Sequence, residues 1–83
     1  MSSIFDRVTA FEILGYAGHP VRNPKRNIRC PFHDDRSPSC SVFERGFYCF
    51  GCGRKGGLAA LVIDLGYADT YAEAACWLEQ TFR

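Results

Sequence analysis

Two short pairs of cysteine and histidine residues are the part of this sequence best suited to chemistry. Cys30 and His33 form the first pair and Cys49 and Cys52 the second, in the pattern Cys-x2-His-x15-Cys-x2-Cys. A two-residue gap lets both side chains of a pair reach one ion from a single turn, and three thiolates with one imidazole complete a tetrahedral zinc site. Because no coordination position is left for water, the pattern predicts one structural zinc ion rather than a catalytic metal.

The size and composition of the chain favour a small domain that a metal stabilises. Its 83 residues are enough for one domain, whose hydrophobic core alone would give marginal stability. Zinc binding contributes apparent free energies of about 10–16 kcal/mol in zinc-finger peptides, which is enough to stabilise such a domain. The formal net charge is +1, and three thiolates with one Zn²⁺ leave the loaded chain near neutral. Net charge therefore neither supports nor excludes a polyanionic partner.

The five cysteines do not indicate a secreted disulfide scaffold. Their number is odd, and the sequence begins without the basic and apolar segments of an export signal. The sequence also has no run of the ~18–20 apolar residues that a membrane span requires. We therefore expect a reducing, cytoplasmic location and no membrane contact.

The segments around the two pairs predict an α+β fold, in which an antiparallel zinc ribbon is flanked by helices at both ends. We expect one domain over residues 1–83, with the ribbon at about 26–53. Apolar residues at helical spacing, together with cap residues, predict three helices. They lie over about residues 3–14, 57–65 and 70–82. Ser3 is the expected cap of the first helix.

A β-hairpin is predicted between the two pairs. Alternation over residues 39–43 and 47–50 favours two antiparallel strands, with Cys49 on the face opposite Tyr48. Gly46 is expected to take a left-handed conformation in a three-residue loop. The hairpin carries the chain from the first pair of ligands to the second, as a zinc ribbon requires.

Basic residues are concentrated in the middle of the chain, where aromatic residues are interleaved with them. Eight of the ten Lys and Arg residues are Arg22, Lys25, Arg26, Arg29, Arg36, Arg45, Arg54 and Lys55. Cations can follow a phosphate backbone while exposed rings stack on bases, and Tyr48 and Phe43 are the rings expected to be exposed. The alternative interpretation is a solvated basic face, with aromatic side chains that fill the core around the metal.

The residues around both pairs resemble a known family. The segments CPFHDDRSPS (residues 30–39) and FYCFGCG (47–53) resemble the Cys-His-Cys-Cys zinc-binding domain of bacterial and phage DNA primases of the DnaG type. The resemblance covers nearly the whole chain and implies that the two pairs hold zinc. It also implies contact with single-stranded template DNA at the start of primer synthesis, with polymerisation in a separate domain. The sequence departs from the family pattern at Cys40, where Phe is usual, and at Gly57, where Asp or Asn is usual.

No catalytic centre is expected in this chain. Primer synthesis needs clustered carboxylates that hold Mg²⁺, and Asp34 with Asp35 is the only adjacent acidic pair. A thiol–disulfide oxidoreductase would place its Cys-x2-Cys at the start of a helix, whereas this one follows a strand. We interpret the chain as a module that recognises single-stranded DNA in the initiation of replication. A separate primase, polymerase or helicase protein of a phage, plasmid or other mobile element would be its partner.

Two other classes of function remain open. A protein–protein adaptor would keep the zinc fold and bind a host or replication partner through Trp77 and the helices. Trp77 lies off the apolar stripe of the last helix, and its alternative place is against the preceding helix. A small zinc-containing transcriptional regulator would bind duplex DNA and select a sequence. Preference for single or double strands, and the effect of Trp77→Ala on protein complexes, distinguish the three.

Overall fold

The computed structural model describes residues 4–23, 25–32 and 38–82. In these ranges the elements are α1 (Ile4–Arg7), α2 (Ala10–Tyr16), β1 (Cys40–Phe43), β2 (Gly46–Cys49), β3 (Lys55–Gly57), α3 (Leu58–Asp64) and α4 (Tyr71–Thr81). The strands form one antiparallel sheet in the order β1–β2–β3, between two N-terminal and two C-terminal helices. The α+β fold with an antiparallel ribbon is thus confirmed. Within the same ranges, no helix combines the length and the apolar character needed to cross a membrane.

One hydrophobic core lies between the inner face of the sheet and the helices. Strand alternation buries Cys40 and Val42 of β1 with Phe47 and Cys49 of β2, each at most 3% exposed. The helices and the segments beside them contribute aliphatic residues at helical spacing. These are Ile4, Val8, Ala10, Ile13, Leu14, Leu58, Leu61, Val62, Ala74 and Leu78. The departure from the family pattern at Cys40 therefore places a small side chain inside the core.

The N-terminal segment forms two helices where the sequence predicts one over about residues 3–14. Thr9 has an extended backbone, and its hydroxyl accepts a hydrogen bond from the Glu12 amide (3.3 Å). In return, the Glu12 carboxylate accepts one from the Thr9 amide (3.3 Å). This reciprocal capping box satisfies two backbone amides, so α2 starts at Ala10 and the helix is interrupted between α1 and α2. Ser3, the expected cap, lies outside the described residues.

The β1–β2 turn is one residue shorter than the sequence predicts. Phe43 pairs with Gly46, so only Glu44 and Arg45 lie in the turn. Gly46 belongs to β2 and has no left-handed backbone, which corrects the expectation for this residue. The turn rests on the N-terminal helices: the first amide of α2 donates to the Glu44 carbonyl oxygen (3.0 Å), and Arg45 Nη1 donates to the Phe5 carbonyl oxygen (2.6 Å).

Gly46 is needed for close approach between strands rather than for a turn. It pairs with Gly57 of β3, and a Cβ at position 46 would collide with the carbonyl oxygen of Gly56. Strand β3 is absent from the sequence prediction because two of its three residues are glycines, which have low strand propensity. Gly57 also caps α3 with an extended backbone, so the second departure from the family pattern is accommodated.

Candidate metal centre and nucleic-acid interface

Three cysteine thiols converge at one end of the sheet. The Sγ atoms of Cys30, Cys49 and Cys52 all lie within 4.8 Å of one another, and those of Cys30 and Cys52 are 3.9 Å apart. Tetrahedral ligands at the usual Zn–S distance of ~2.3 Å place neighbouring sulfurs ~3.8 Å apart. The geometry and the chemistry of these three donors therefore fit a zinc ion.

The second pair, Cys49 and Cys52, is shaped by a tight turn after β2. Cys49 is the last residue of β2, and its amide donates to the Arg54 carbonyl oxygen (2.7 Å). Its carbonyl oxygen accepts from the amide of Gly53 (2.8 Å), which has φ +78°. Glycine takes this left-handed conformation without the steric cost of a Cβ. The turn thereby brings Cys52 back towards Cys49.

A short extended segment brings the first pair to the same place. Ile28 forms an antiparallel bridge with Cys40: the Ile28 amide donates to the Cys40 carbonyl oxygen (2.8 Å), and the reverse bond is 3.0 Å. The bridge adds a fourth line of chain beside β1, two residues before Cys30. The three clustered thiols therefore come from the segments before and after the hairpin, and their assignment as zinc ligands stays a prediction.

The environment of Cys30 disfavours its thiolate form. Burial raises the pKa of the Cys30 thiol to about 12, with the sulfurs of Cys49 and Cys52 acting in the same direction and a backbone hydrogen bond at Phe32 opposing them. A divalent cation would offset the effects of burial and of the neighbouring sulfurs on this pKa, because it stabilises thiolates directly. The Ser39 hydroxyl lies 3.6 Å from the Cys49 sulfur, close enough to donate to a thiolate. Nothing in the sequence pattern had singled out Ser39.

Phe32, two residues after Cys30, packs against other parts of the protein. Its ring packs on Phe47 (centroids 5.2 Å apart) and lies 5.6 Å from the guanidinium carbon of Arg54. Arg54 also pairs with Asp64 of α3 (3.3 Å). These contacts connect the segment after Cys30 to the turn after β2, and that turn to α3. His33, the predicted fourth ligand, lies outside the described residues.

The predicted nucleic-acid-binding residues separate into groups. Arg45 and Arg54 are half-exposed but engaged, Arg45 by the Phe5 carbonyl and Asp6 (3.5 Å) and Arg54 by Asp64. Both therefore have a structural role that the sequence did not reveal. The other predicted residues that the structure describes with a basic side chain are also exposed; they are Arg22, Lys25, Arg26, Arg29 and Lys55. Arg36 lies outside the described residues.

Tyr48 lies on the outer face of the sheet, opposite the buried core. Its ring contacts that of Phe50 (centroids 4.6 Å apart), and Lys55 Nζ lies 6.0 Å from its centroid. Phe50 is 67% exposed, more than Phe43 at 55%, and it was not assigned a binding role from sequence. Its alternation with Cys49, visible in the sequence, is the signal that places it beside Tyr48.

Arg29 belongs to the same outer face by alternation. Its neighbour Ile28 pairs with Cys40, whose side chain is buried on the inner face. Successive side chains of an extended segment point to opposite faces. Ile28 shares the inner face with Cys40, so the next residue, Arg29, is placed on the outer face. We call Arg29, Tyr48, Phe50 and Lys55 the outer face of the ribbon.

Trp77 packs back onto the protein. Its ring stacks on Tyr67 (centroids 4.4 Å apart, 11° between planes) and meets the edges of Tyr16 (5.4 Å) and Phe82 (6.0 Å). The side chain is partly buried. Its assignment as a partner-binding residue stays a prediction.

Comparison with known proteins identifies the family. The CHC2 zinc finger family matches residues 13–82. The DNA primase of Synechocystis sp. is 38% identical over 69 residues, which are 80% of this chain and 11% of that protein. The DNA primase of Treponema pallidum is 35% identical over 78 residues, 90% of this chain and 13% of that protein.

The chain thus spans about a tenth of the length of these curated relatives. No solved structure matches it significantly. The family match covers both ligand pairs, the ribbon and the last two helices, and the relatives extend it to most of the sequence. The chain therefore belongs to the CHC2 zinc finger family, the zinc-binding domain of DnaG-type DNA primases.

Proposed function

We propose that this chain is a zinc-dependent module that binds single-stranded template DNA when replication is initiated, and that it acts with a separate primase, polymerase or helicase protein. The convergence of three thiols in a chain of the CHC2 zinc finger family supports the proposal most directly. The relatives are DNA primases, which need a template-binding element to begin synthesis. An intracellular, reducing location follows, because only reduced cysteines bind the metal.

One structural zinc ion is part of the proposal. Cys30, Cys49 and Cys52 would hold it, with His33 as the fourth ligand. When bound, the ion cross-links the segment before β1 to the turn after β2. Ser39 would then donate to the Cys49 thiolate, and Phe32 would hold the first pair against Phe47.

The outer face of the ribbon is the proposed contact with DNA. Arg29 and Lys55 would neutralise phosphates, while Tyr48 and Phe50 stack on bases. In a duplex the flat faces of the bases are covered by their neighbours, so only an unpaired strand offers them to protein rings. Cys49 lies between Tyr48 and Phe50 in sequence, and a metal bound to it would fix the orientation of both rings.

The catalytic chemistry is assigned to the companion protein. Metal-dependent phosphoryl transfer requires carboxylates grouped around Mg²⁺. Three of this chain's carboxylates instead pair with arginines: Asp64 with Arg54 (3.3 Å), Asp6 with Arg45 (3.5 Å) and Glu79 with Arg7 (3.7 Å). We therefore propose an accessory role in priming rather than an enzymatic one.

Removal of the two cations of the outer face tests the DNA assignment. The double variant Arg29→Gln, Lys55→Gln is expected to bind a labelled single strand of ~12 nucleotides about tenfold or more weakly at low salt. Its slope of log affinity against log salt should fall by about 1.4, because each lost phosphate contact removes ~0.7. Fluorescence anisotropy at several salt concentrations gives both quantities.

Arg7→Gln is the control for this experiment. Arg7 is an exposed cation of α1, and its ion pair with Glu79 is half-exposed, so its removal should cost little stability. We expect less than a twofold change in DNA affinity. If the double variant binds like the control, the outer face is not the DNA site. If the unmodified protein prefers a duplex of particular sequence, a transcriptional regulator is the better interpretation.

A protein–protein adaptor is the second candidate function. It is favoured by one observation: the aromatic residues around Trp77 border an open depression on the helical side of the protein. The two candidates are compatible, because they use different residues.

A further inference from the structure

A depression of about 390 Å³ lies between α4 and the turn that joins it to α3. We call it the aromatic pocket, and the residues that define it here are Gly66, Tyr67, Asp69, Glu73, Trp77 and Gln80. None of them belongs to the metal cluster or to the outer face of the ribbon. Its volume lies in the range of sites that hold small ligands or single side chains.

The wall formed by α4 follows from helical spacing. Glu73, Trp77 and Gln80 stand at i, i+4 and i+7, so they share one side of the helix. The N-terminal cap fixes the first of them: the Glu73 amide donates to the Thr70 hydroxyl (3.2 Å), and a carboxylate oxygen of Glu73 accepts from the Asp69 amide (2.9 Å). The Glu73 carboxylate is therefore held at the mouth of the pocket.

The opposite wall is set by the end of α3. Gly66 has φ +91°, its amide donates to the Ile63 carbonyl oxygen (3.0 Å), and the Tyr67 amide donates to that of Val62 (3.1 Å). These two bonds form a Schellman motif, in which glycine supplies the left-handed residue. The motif turns the chain back, so that Tyr67 lies flat against Trp77. The aromatic surface is thus prearranged by the backbone.

The charge of the pocket is negative. Between residues 58 and 82 the sequence has four acidic residues and no Lys or Arg. Two of the four are Asp69 and Glu73, and within the described ranges neither forms an ion pair with a basic side chain. Carboxylates beside the rings repel phosphate, so the pocket is unsuited to nucleic acid. They attract a cation, which the π-face of an aromatic side chain would also attract.

We propose that the aromatic pocket binds an arginine or lysine side chain from a basic segment of a partner protein. The long aliphatic stem of such a side chain would pack on the rings while its charged end reaches Asp69 and Glu73. The inference rests on the adaptor function above and names the chemistry of its partner. It is independent of DNA binding, because the outer face of the ribbon shares no residue with the aromatic pocket.

Trp77 is the only tryptophan of the chain and lines the pocket, so tryptophan fluorescence reports on the surroundings of this one residue. The zinc-loaded protein is titrated with an acetylated and amidated hexapeptide of alternating Gly and Arg, and separately with one of alternating Gly and Glu. A saturable change in emission is expected with the Arg peptide and none with the Glu peptide. Asp69→Asn with Glu73→Gln should weaken the Arg peptide at least fivefold, because both substitutions remove charge and keep size and capping acceptors.

Glu12→Gln with Glu44→Gln is the matched control. It changes the net charge by the same amount at exposed positions away from the pocket, and Gln preserves the capping box at Thr9. Its affinity for the Arg peptide should change by less than twofold. Equal weakening in both double variants would mean general charge attraction and would overturn the proposal.

Three other outcomes also reject it. One is the lack of any saturable change with the Arg peptide. Another is displacement of that peptide by single-stranded DNA at Trp77, which would make the pocket a nucleic-acid site. The third is self-association in sedimentation that Asp69→Asn with Glu73→Gln abolishes, which would make a second copy the occupant. Loss of DNA affinity on Arg29→Gln, Lys55→Gln bears only on the DNA site, so the two proposals fail separately.

Discussion

Replacement of Cys52 by Ser is expected to release the metal and unfold the chain. The sulfur of Cys52 lies 3.9 Å from that of Cys30 and completes the group of three thiols. A serine hydroxyl stays protonated near neutral pH and cannot replace a thiolate, so most of the ~10–16 kcal/mol typical of structural zinc would be lost. A small core cannot compensate for that loss. Zinc content and circular dichroism of the purified variant measure both effects.

Cys76→Ser is the control for Cys52→Ser. Cys76 is exposed on α4, where its sulfur accepts a hydrogen bond from Gln80 (3.5 Å), and it is not among the three clustered thiols. This variant should keep its zinc and its fold. A folded, zinc-loaded Cys52→Ser protein would show that Cys52 is not needed as a ligand.

Gly46→Ala is expected to destabilise the protein by about 1–3 kcal/mol or more. A Cβ at this position meets the Gly56 carbonyl oxygen, a backbone atom that can move only if β2 and β3 separate. For a domain of this size the loss corresponds to a fall in Tm of about 4–8 °C per kcal/mol. Thermal unfolding of the zinc-loaded protein, followed by circular dichroism, gives the shift.

Gly15→Ala provides the opposite expectation. Gly15 lies within α2, has no left-handed φ, and has no atom within 4 Å of a built Cβ. Alanine should therefore stabilise the helix by about 0.5–1 kcal/mol. If both substitutions shift Tm in the same direction and by the same amount, the close contact between β2 and β3 is not what selects glycine at position 46.

The sequence was most informative where side-chain type and period coincide. Alternation around Cys40 and Cys49 identified the hairpin and the face that it buries, because both strands bury one side and expose the other. The spacing of Cys30, Cys49 and Cys52 identified the cluster, since each pair lies in one short turn and the hairpin joins the turns. Local pattern was sufficient for these features.

Features that depend on contacts between distant segments were not predictable in the same way. Gly46 was assigned to a turn because glycine commonly supplies a left-handed residue. In the structure it is the close approach of β3 that requires glycine there, and the sequence of β3 has low strand propensity. Arg45 was interpreted from the sequence as a surface cation. In the structure its guanidinium donates to the Phe5 carbonyl oxygen of α1, a contact that depends on how the N-terminal helices pack on the hairpin. The break at Thr9 is different: its capping box with Glu12 is a local signal, and it outweighed the apolar spacing that favoured a single helix.

Strand β2 contributes one residue to the three-thiol cluster and one to the outer face of the ribbon. Cys49 points inward at the end of β2, while Tyr48 and Phe50 flank it on the outer side. A metal that holds Cys49 therefore also limits the motion of the two rings. If the proposed function is correct, a structural ion would affect DNA affinity in this way without touching DNA.

X-ray absorption at the zinc edge of the protein, purified without added metal, shows whether the three thiols hold the ion that the proposed function requires. We expect one zinc ion per chain, with three sulfur ligands at ~2.3 Å and one nitrogen at ~2.0–2.1 Å. Folded protein that contains no zinc, or zinc surrounded by oxygen rather than sulfur, would contradict this expectation.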